Sequence, residues 1–479
     1  MPLILPGNVG SATAATGFDV ANSLRINQGD SAYLHKTFGT SSDRKKWTYS
    51  FWIKKASQTD MGVIAQGADG NNKGLAYFNA AGDFVYFEAA SGSVVFLIQT
   101  NDLYRDNSAW YHFVIRVDTT QGTAANRVRL YVNGTQITTF QNASYPDEDY
   151  QGEINKSDTR HDISGFNAFG ENGYYFDGYM AEVVFTDGQS LAPTDFGEFD
   201  DDSGIWKPIK VSGLTFGTNG FYLDFKASGN LGNDANGGTD LTEVNLAATD
   251  QSLDTCTNNF ATWNNLQLTN ATMSEGNLVG VSSANSGHYS GISSIGVSSG
   301  KWYFECKQTQ ESAANEGMIG VIIFYNTVTS LLNPVGRGGG WGMQDGNRGF
   351  STDSGGSGST ADNFHAGWTD DDIIGIALDI DNSKVYFSKN GSWNNSGSWN
   401  ASSPTTSQTL QNALGDGTYF FMAGDASGSN NNTWSANFGS PAHAISSGNT
   451  DGDGFGNFEY AVPSGYFALC TKNLAEYGG

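Results

Sequence analysis

Trp47-Thr48-Tyr49-Ser50-Phe51-Trp52-Ile53 puts Trp47, Tyr49, Phe51 and Ile53 at alternate positions. Successive side chains of an extended chain point to opposite faces, so this spacing predicts a strand with one buried, mostly aromatic face. The same signal recurs outward. Residues 23–27 (SLRIN) alternate upstream, and 75–79 (LAYFN) and 84–88 (FVYFE) flank Gly82-Asp83 as a hairpin. Residues 110–118 (WYHFVIRVD) lead to a second strand over 127–132, which ends at Asn133-Gly134. Asn-Gly accepts the positive φ angles of a tight β-turn, which makes this the sharpest hairpin signal of the first half. Residues 176–185 (FDGYMAEVVF) predict a closing strand.

Beyond residue 258 the pattern resumes, in 301–306 (KWYFEC), 318–324 (MIGVIIF), 372–381 (DIIGIALDID), 384–389 (KVYFSK) and 434–439 (WSANFG). The strand over 384–389 carries an alternating Tyr386 and ends at Asn390-Gly391, much as the earlier one carries Tyr131 and ends at Asn133-Gly134. Two copies of one sandwich topology fit that likeness. No long amphipathic helical pattern occurs. The 479 residues are too many for one core, and 30 Phe, 21 Tyr and 11 Trp supply apolar material for two, while 62 Gly with many Asn and Ser supply turns. The expected fold is all-β: two tandem β-sandwiches joined by a packed connector. Residues 1–17 form an N-terminal arm, 18–197 the first sandwich, 198–257 the connector and 258–479 the second.

Net charge of −25 repels a phosphate backbone, so nucleic acid is not expected as a partner. Three widely spaced cysteines, Cys256, Cys306 and Cys470, form neither a disulfide framework nor a zinc site. They are expected as small buried hydrophobes. The start, MPLILPGN, lacks a basic region and a long apolar run, so no signal peptide is expected. Nor does any stretch approach the roughly 20 apolar residues of a membrane helix, so membrane insertion is not expected. Leu3, Ile4 and Leu5 in the arm are candidates for docking on a neighbouring subunit or on the first sandwich.

Several segments carry a family resemblance. SLRINQGDSAYLHKTF, WTYSFWIKK, WYHFVIRVD, RVRLYVNGTQI and FDGYMAEVVFTDGQSL resemble the concanavalin A-like jelly roll in its laminin-G or pentraxin-like form, over about residues 18–196. GKWYFE, MIGVII, GWGM, DDIIGIALDIDNSKVYFSKNG and WSANFG look like a SPRY domain, in that family's order. The opening MPLILPGNV, the bridge GTNGFYLDF with CTNNFATWNN, and the ending VPSGYFALCTKNL are similar to tail-fibre or head-appendage proteins of bacteriophages, marine ones especially. That resemblance implies a non-enzymatic structural virion protein, a tail fibre or a capsid decoration, located on the particle and used for host-surface attachment. Its implied partners are other virion proteins, a host-surface glycan or protein, and further copies of itself, a trimer being plausible for a fibre. A cellular carbohydrate-binding lectin is the first alternative and a glycoside hydrolase the second.

The residues themselves offer few chemical candidates. Glycoside hydrolysis needs two carboxylates flanking the sugar. The glucanase pattern E-x-D-x-x-E is approached at Glu198-Phe199-Asp200, but position 203 is Ser. Glu148-Asp149 lies in a Pro-containing loop. The six histidines lack a G-x-S-x-G elbow. His112 reads as structural, and His35, His161, His288, His365 and His443 read as solvated. The Gly-rich run 336–342 lacks the ending of a phosphate loop and reads as a plain loop. No cofactor is expected, though Asn449, Asp451 and Asp453 resemble the start of a calcium loop whose twelfth position is Tyr460 rather than Glu. Aromatic residues in polar loops can stack on sugar rings. By that logic Tyr174, Tyr175, Trp341, Trp368, Trp393 and Trp399 are the candidate ligand-binding residues.

Overall fold

The computed structural model of the chain describes residues 17–167, 173–267, 271–282, 289–310, 317–323, 339–352, 358–411, 417–425 and 432–478. Leu3, Ile4 and Leu5 lie outside them, as does His288. The described residues divide into two compact units, one ending at Thr257 and the other beginning at Asn258. Both are built of sheets packed in pairs, antiparallel except where Phe467–Ala468 runs parallel to Lys301–Gln310. Among the described residues the one α-helix is the seven-residue Thr471–Tyr477.

In the first unit the strand Lys46–Lys55 lies between Trp110–Asp118 and Gly178–Asp187 in an eight-stranded sheet. Trp47, Tyr49, Phe51 and Ile53 all face the core, each at most 1% exposed. The aromatic face is buried as the sequence implies, but the opposite face, with Thr48, Ser50 and Trp52, is buried too, so the strand is covered on both sides. A second eight-stranded sheet, containing Met61–Asp69, Asn72–Phe78 and Phe84–Ala90, covers that core with Ile64, Ala76, Phe78, Phe84 and Tyr86. Phe78 pairs with Phe84 across the expected hairpin. Val132 pairs with Thr135, so Asn133 (φ 45°) and Gly134 (φ 76°) form a two-residue turn in the left-handed region.

Residues 198–257 are no connector but part of this first sandwich. Phe221–Leu223 pairs with Gly178–Asp187, Thr242–Val244 pairs with Tyr33–Thr37, and Gln251–Ser252 pairs with Ser23–Ile26. Phe221, Leu223, Phe225, Leu231 and Leu241 are buried in the core of the first unit. Local composition reads as loop because the buried residues are few and far apart; Phe221 and Leu223 are placed by pairing with the distant strand Gly178–Asp187.

In the second unit Lys301–Gln310 is flanked by Ile373–Asp379 and Thr433–Asn437 in a ten-stranded sheet. Trp302, Phe304 and Cys306 turn inward, against Ile319, Val321, Ile323 and Phe421 of the facing six-stranded sheet. Gly340–Gln344, expected as loop, is a strand of that sheet; the preceding 324–338 lie outside the described residues. Lys389 pairs with Ser392 around Asn390 (φ 48°) and Gly391 (φ 77°). The two Asn-Gly turns share a bonding detail. Asn133 N–H donates to His112 O at 2.8 Å while its Oδ1 accepts from His112 N at 2.8 Å. Asn390 does the same to Ile373, at 2.8 and 2.9 Å.

Candidate functional site

Alternation across the second sheet of the first unit sets which residues face outward. Ala76, Phe78 and Tyr86 point to the core, so Leu75, Tyr77 and Phe87 point away from it. By register Ala65 lies opposite Leu75 and opposite Asp162, and Asp162 lies opposite His35, which puts all of these on the outer face. Tyr33, two residues from His35, shares it. Described residues on either side of 168–172 lie against this face: Phe166 bridges to Gly173, and Gly62 N–H donates to Tyr174 O at 2.6 Å.

Tyr174 and Tyr175 stand in succession at this face, both half-buried. Tyr174 meets Tyr77 edge-on at 5.2 Å, and Tyr77 in turn meets Phe87 at 6.4 Å. Tyr175 lies 6.0 Å from Tyr33. The guanidinium of Arg160 sits 5.2 Å over the Tyr33 ring, with its Nε donating to Asp162 Oδ1 at 2.7 Å. Asn167 Nδ2 donates to Tyr33 Oη at 2.9 Å, and Asn167 N–H donates to Asp162 Oδ2 at 2.8 Å. Two of the six aromatic candidates therefore share one surface with Tyr33, Tyr77, Arg160 and Asn167. Composition gave no hint of these four, because only the register of three strands unites them.

The tryptophans do not join such a surface. Trp341 is fully buried, and Trp368 and Trp393 are 4% exposed, so these three are interior side chains rather than sugar platforms. Trp341 and Trp368 belong to the core of the second unit, while Trp393 packs 6.4 Å from Tyr303. Trp368 Nε1 donates to Gln308 Oε1. Trp399 is half-buried, beside His365 at 5.5 Å, and donates its indole N–H to Gly367 O at 3.0 Å.

The acids and histidines hold the architecture together. Glu305 Oε1 accepts from Tyr303 Oη (3.0 Å) and Tyr460 N (2.9 Å), and Oε2 accepts from Asn437 Nδ2 (3.2 Å) and Glu459 N (2.9 Å). Burial still pushes its pKa up to about 7. Glu88 repeats the arrangement in the first unit. It accepts from Tyr86 Oη (2.6 Å) and from the successive amides of Glu153 (2.6 Å) and Ile154 (3.2 Å), and burial raises it to about 7 as well. Glu182, accepting from Tyr222 Oη at 2.5 Å, is raised by burial to about 7. Glu198 and Asp200 share Lys207, at 3.5 and 3.0 Å. The amide of Ser203 and the ammonium of Lys207 hold the Asp200 carboxyl well below the usual carboxylate range. These two acids thus secure the hairpin of Gly197–Phe199 with Trp206–Pro208.

His112 is buried as expected: Trp206 Nε1 donates to its Nδ1 at 2.9 Å, so its Nε2 carries the proton toward Ser50 Oγ at 2.8 Å. His161 and His365 are buried as well, not solvated. His161 Nε2 accepts from Asn155 N (3.0 Å), and His365 Nδ1 accepts from Gly367 N (2.9 Å). Burial lowers His112 and His161 to about 3 and His365 to about 4, so all three are neutral imidazoles. In the calcium-like loop, Asp451 spends Oδ1 on the amides of Asp453 and Phe455, and Oδ2 on Ala468 N and Asn473 Nδ2. Asn449 turns its amide to the carbonyls of Phe458 and Glu459. These groups tie the loop to the C-terminal helix, and among the described residues no cluster of three metal-ligating side chains forms.

Residues 27–192 match the Concanavalin A-like lectin/glucanases superfamily. The matched residues all fall within the first unit. No curated protein matches the chain. Among solved structures, the SPRY domain of human HERC1 is 15% identical, covering 36% of this chain and 96% of that one at a TM-score of 0.29. The CBM40 of the Ruminococcus gnavus IT-sialidase is 14% identical over 34% of this chain and 93% of that one, TM-score 0.25. Domains LG4-5 of the mouse laminin alpha1 chain are 10% identical, over 95% of this chain and 88% of that one, TM-score 0.29.

Proposed function

We propose that the chain is a non-enzymatic contact protein of a bacteriophage particle, a tail fibre or capsid decoration, displaying its sandwiches for adhesion to host-surface glycans. The observation that carries the reading is how its ionisable groups are used. Glu88, Glu182, Glu305, His112, His161 and His365 are all buried and spent on loop amides or neighbouring side chains. Glu198 and Asp200, the approach to a glucanase pair, are committed to Lys207. What the surface offers is area for contact. The match of 27–192 to a superfamily of lectins and glucanases supports a saccharide as the thing contacted. Resemblance of the opening, bridge and closing segments to phage appendages supports the particle. Copies of the chain on one particle, a trimer in the simplest fibre, would multiply individually weak contacts.

Two measurements test this. Antibody raised against the chain, imaged by electron microscopy on phage particles carrying it, is expected to label the tail or the capsid surface. Label confined to host cells would point instead to a cellular lectin. On a glycan array the multimerised chain is expected to bind with chelator present; binding abolished by chelator would favour a calcium-dependent lectin.

A further inference from the structure

Resting on that reading, we infer that the outer face around Tyr77, Tyr174 and Tyr175 in the first unit is a platform for uncharged pyranose oligosaccharides. Three observations meet there. Half-buried rings alternate with hydrogen-bonding groups: Tyr77 and Tyr174 at one end, Tyr175 beside Asn167 and Arg160 at the other. A pyranose offers an apolar C–H face to such rings and hydroxyls to such groups.

Tyr174 sits at φ 56°, in the left-handed region, where a bulky aromatic side chain is strained. Strain of this kind concentrates at ligand clamps. Here it has a visible consequence, since it turns two consecutive tyrosines toward two different aromatic groups, Tyr77 and Tyr33.

Charge selects the ligand class. Asp162 neutralises Arg160 at 2.7 Å, so the face presents no net cation, and the chain's −25 repels polyanions. A neutral glycan meets neither obstacle.

The test uses the full chain, with laminarin, xylan, mannan and dextran as neutral probes and alginate and polygalacturonate as anionic ones, in affinity electrophoresis or calorimetry. At least one neutral polymer is expected to bind. Tyr77→Ala and Tyr175→Ala are each expected to weaken it about tenfold. Tyr174→Asn, which accepts the left-handed conformation without the ring, is expected to weaken binding while leaving the melting temperature within a few degrees. Neutral binding that all three variants retain would place the glycan contact elsewhere and overturn this site while leaving the adhesion reading intact. Binding only to the anionic polymers would overturn the ligand class. No binding by the unaltered chain to any polymer would overturn the glycan reading and the platform with it.

Discussion

Glu305 receives four donors, yet burial wins and its pKa rises to about 7; Glu88 and Glu182 behave alike. A carboxyl whose folded pKa exceeds its unfolded value near 4.5 favours the protonated, folded form, so stability is lost as pH climbs from 4.5 through about 7. The neutral histidines act oppositely. His112 and His161 at about 3 and His365 at about 4, against 6.5 unfolded, cost stability as pH falls below 6.5. From these six groups, stability rises up to about pH 4.5, stays level to about pH 6.5 and then falls. Each raised carboxyl contributes on the order of 3 kcal/mol at most. Melting temperature followed from pH 3 to 8 is expected to trace that plateau; a steady rise to pH 8 would contradict it. Sequence named His112 as structural because it sits inside a strand pattern, but it could not name Glu305. The donors to that carboxyl come from positions as far off as 437 and 460.

The hairpins are the elements most plainly legible in sequence. At 133–134 and 390–391 the Asn-Gly pairs form the turns their chemistry predicts. Each glycine is needed twice over, for its positive φ and for space. A Cβ on Gly134 would stand 2.3 Å from the Trp206 ring, and one on Gly391 2.6 Å from the Tyr460 ring. Gly134→Ala and Gly391→Ala are each expected to destabilise by about 1–3 kcal/mol in denaturant titrations. At a plain exposed turn only the backbone part of that loss would appear. The tryptophans were illegible for a related reason. Trp393 stands among Asn and Ser, yet it is buried within Ser392–Asn395, and its neighbour Tyr303 is 90 positions away. Residues 251–254 were illegible too. Lys54 and Asp254 pair at 2.7 Å, each with its side chain 1% exposed, and Trp110 Nε1 donates to the same carboxylate at 3.1 Å. Asp254→Ala removes the carboxylate that pairs with a buried ammonium and is expected to cost about 3–5 kcal/mol, measured by chemical unfolding; a cost under about 1 kcal/mol would show that this segment is peripheral.

At the scale of the whole molecule, the two-sandwich plan follows from alternation and composition, while the extent of the first sandwich does not. Phe221, Leu223, Leu231 and Leu241 complete a core whose last strand the sequence reading ends at 185. A fragment of residues 14–257 is therefore expected to unfold cooperatively by calorimetry, whereas 18–197 alone is expected to aggregate or to lack a thermal transition. A folded 18–197 would restore the connector. The central claim is that these sandwiches touch saccharide and leave it whole. Its most direct measurement incubates the full chain with the neutral polysaccharide it retains, reading bound polymer and newly formed reducing ends in the same sample. Bound polymer with reducing ends at the level of the protein-free control is the predicted result. Reducing ends accumulating in proportion to protein and time would contradict it.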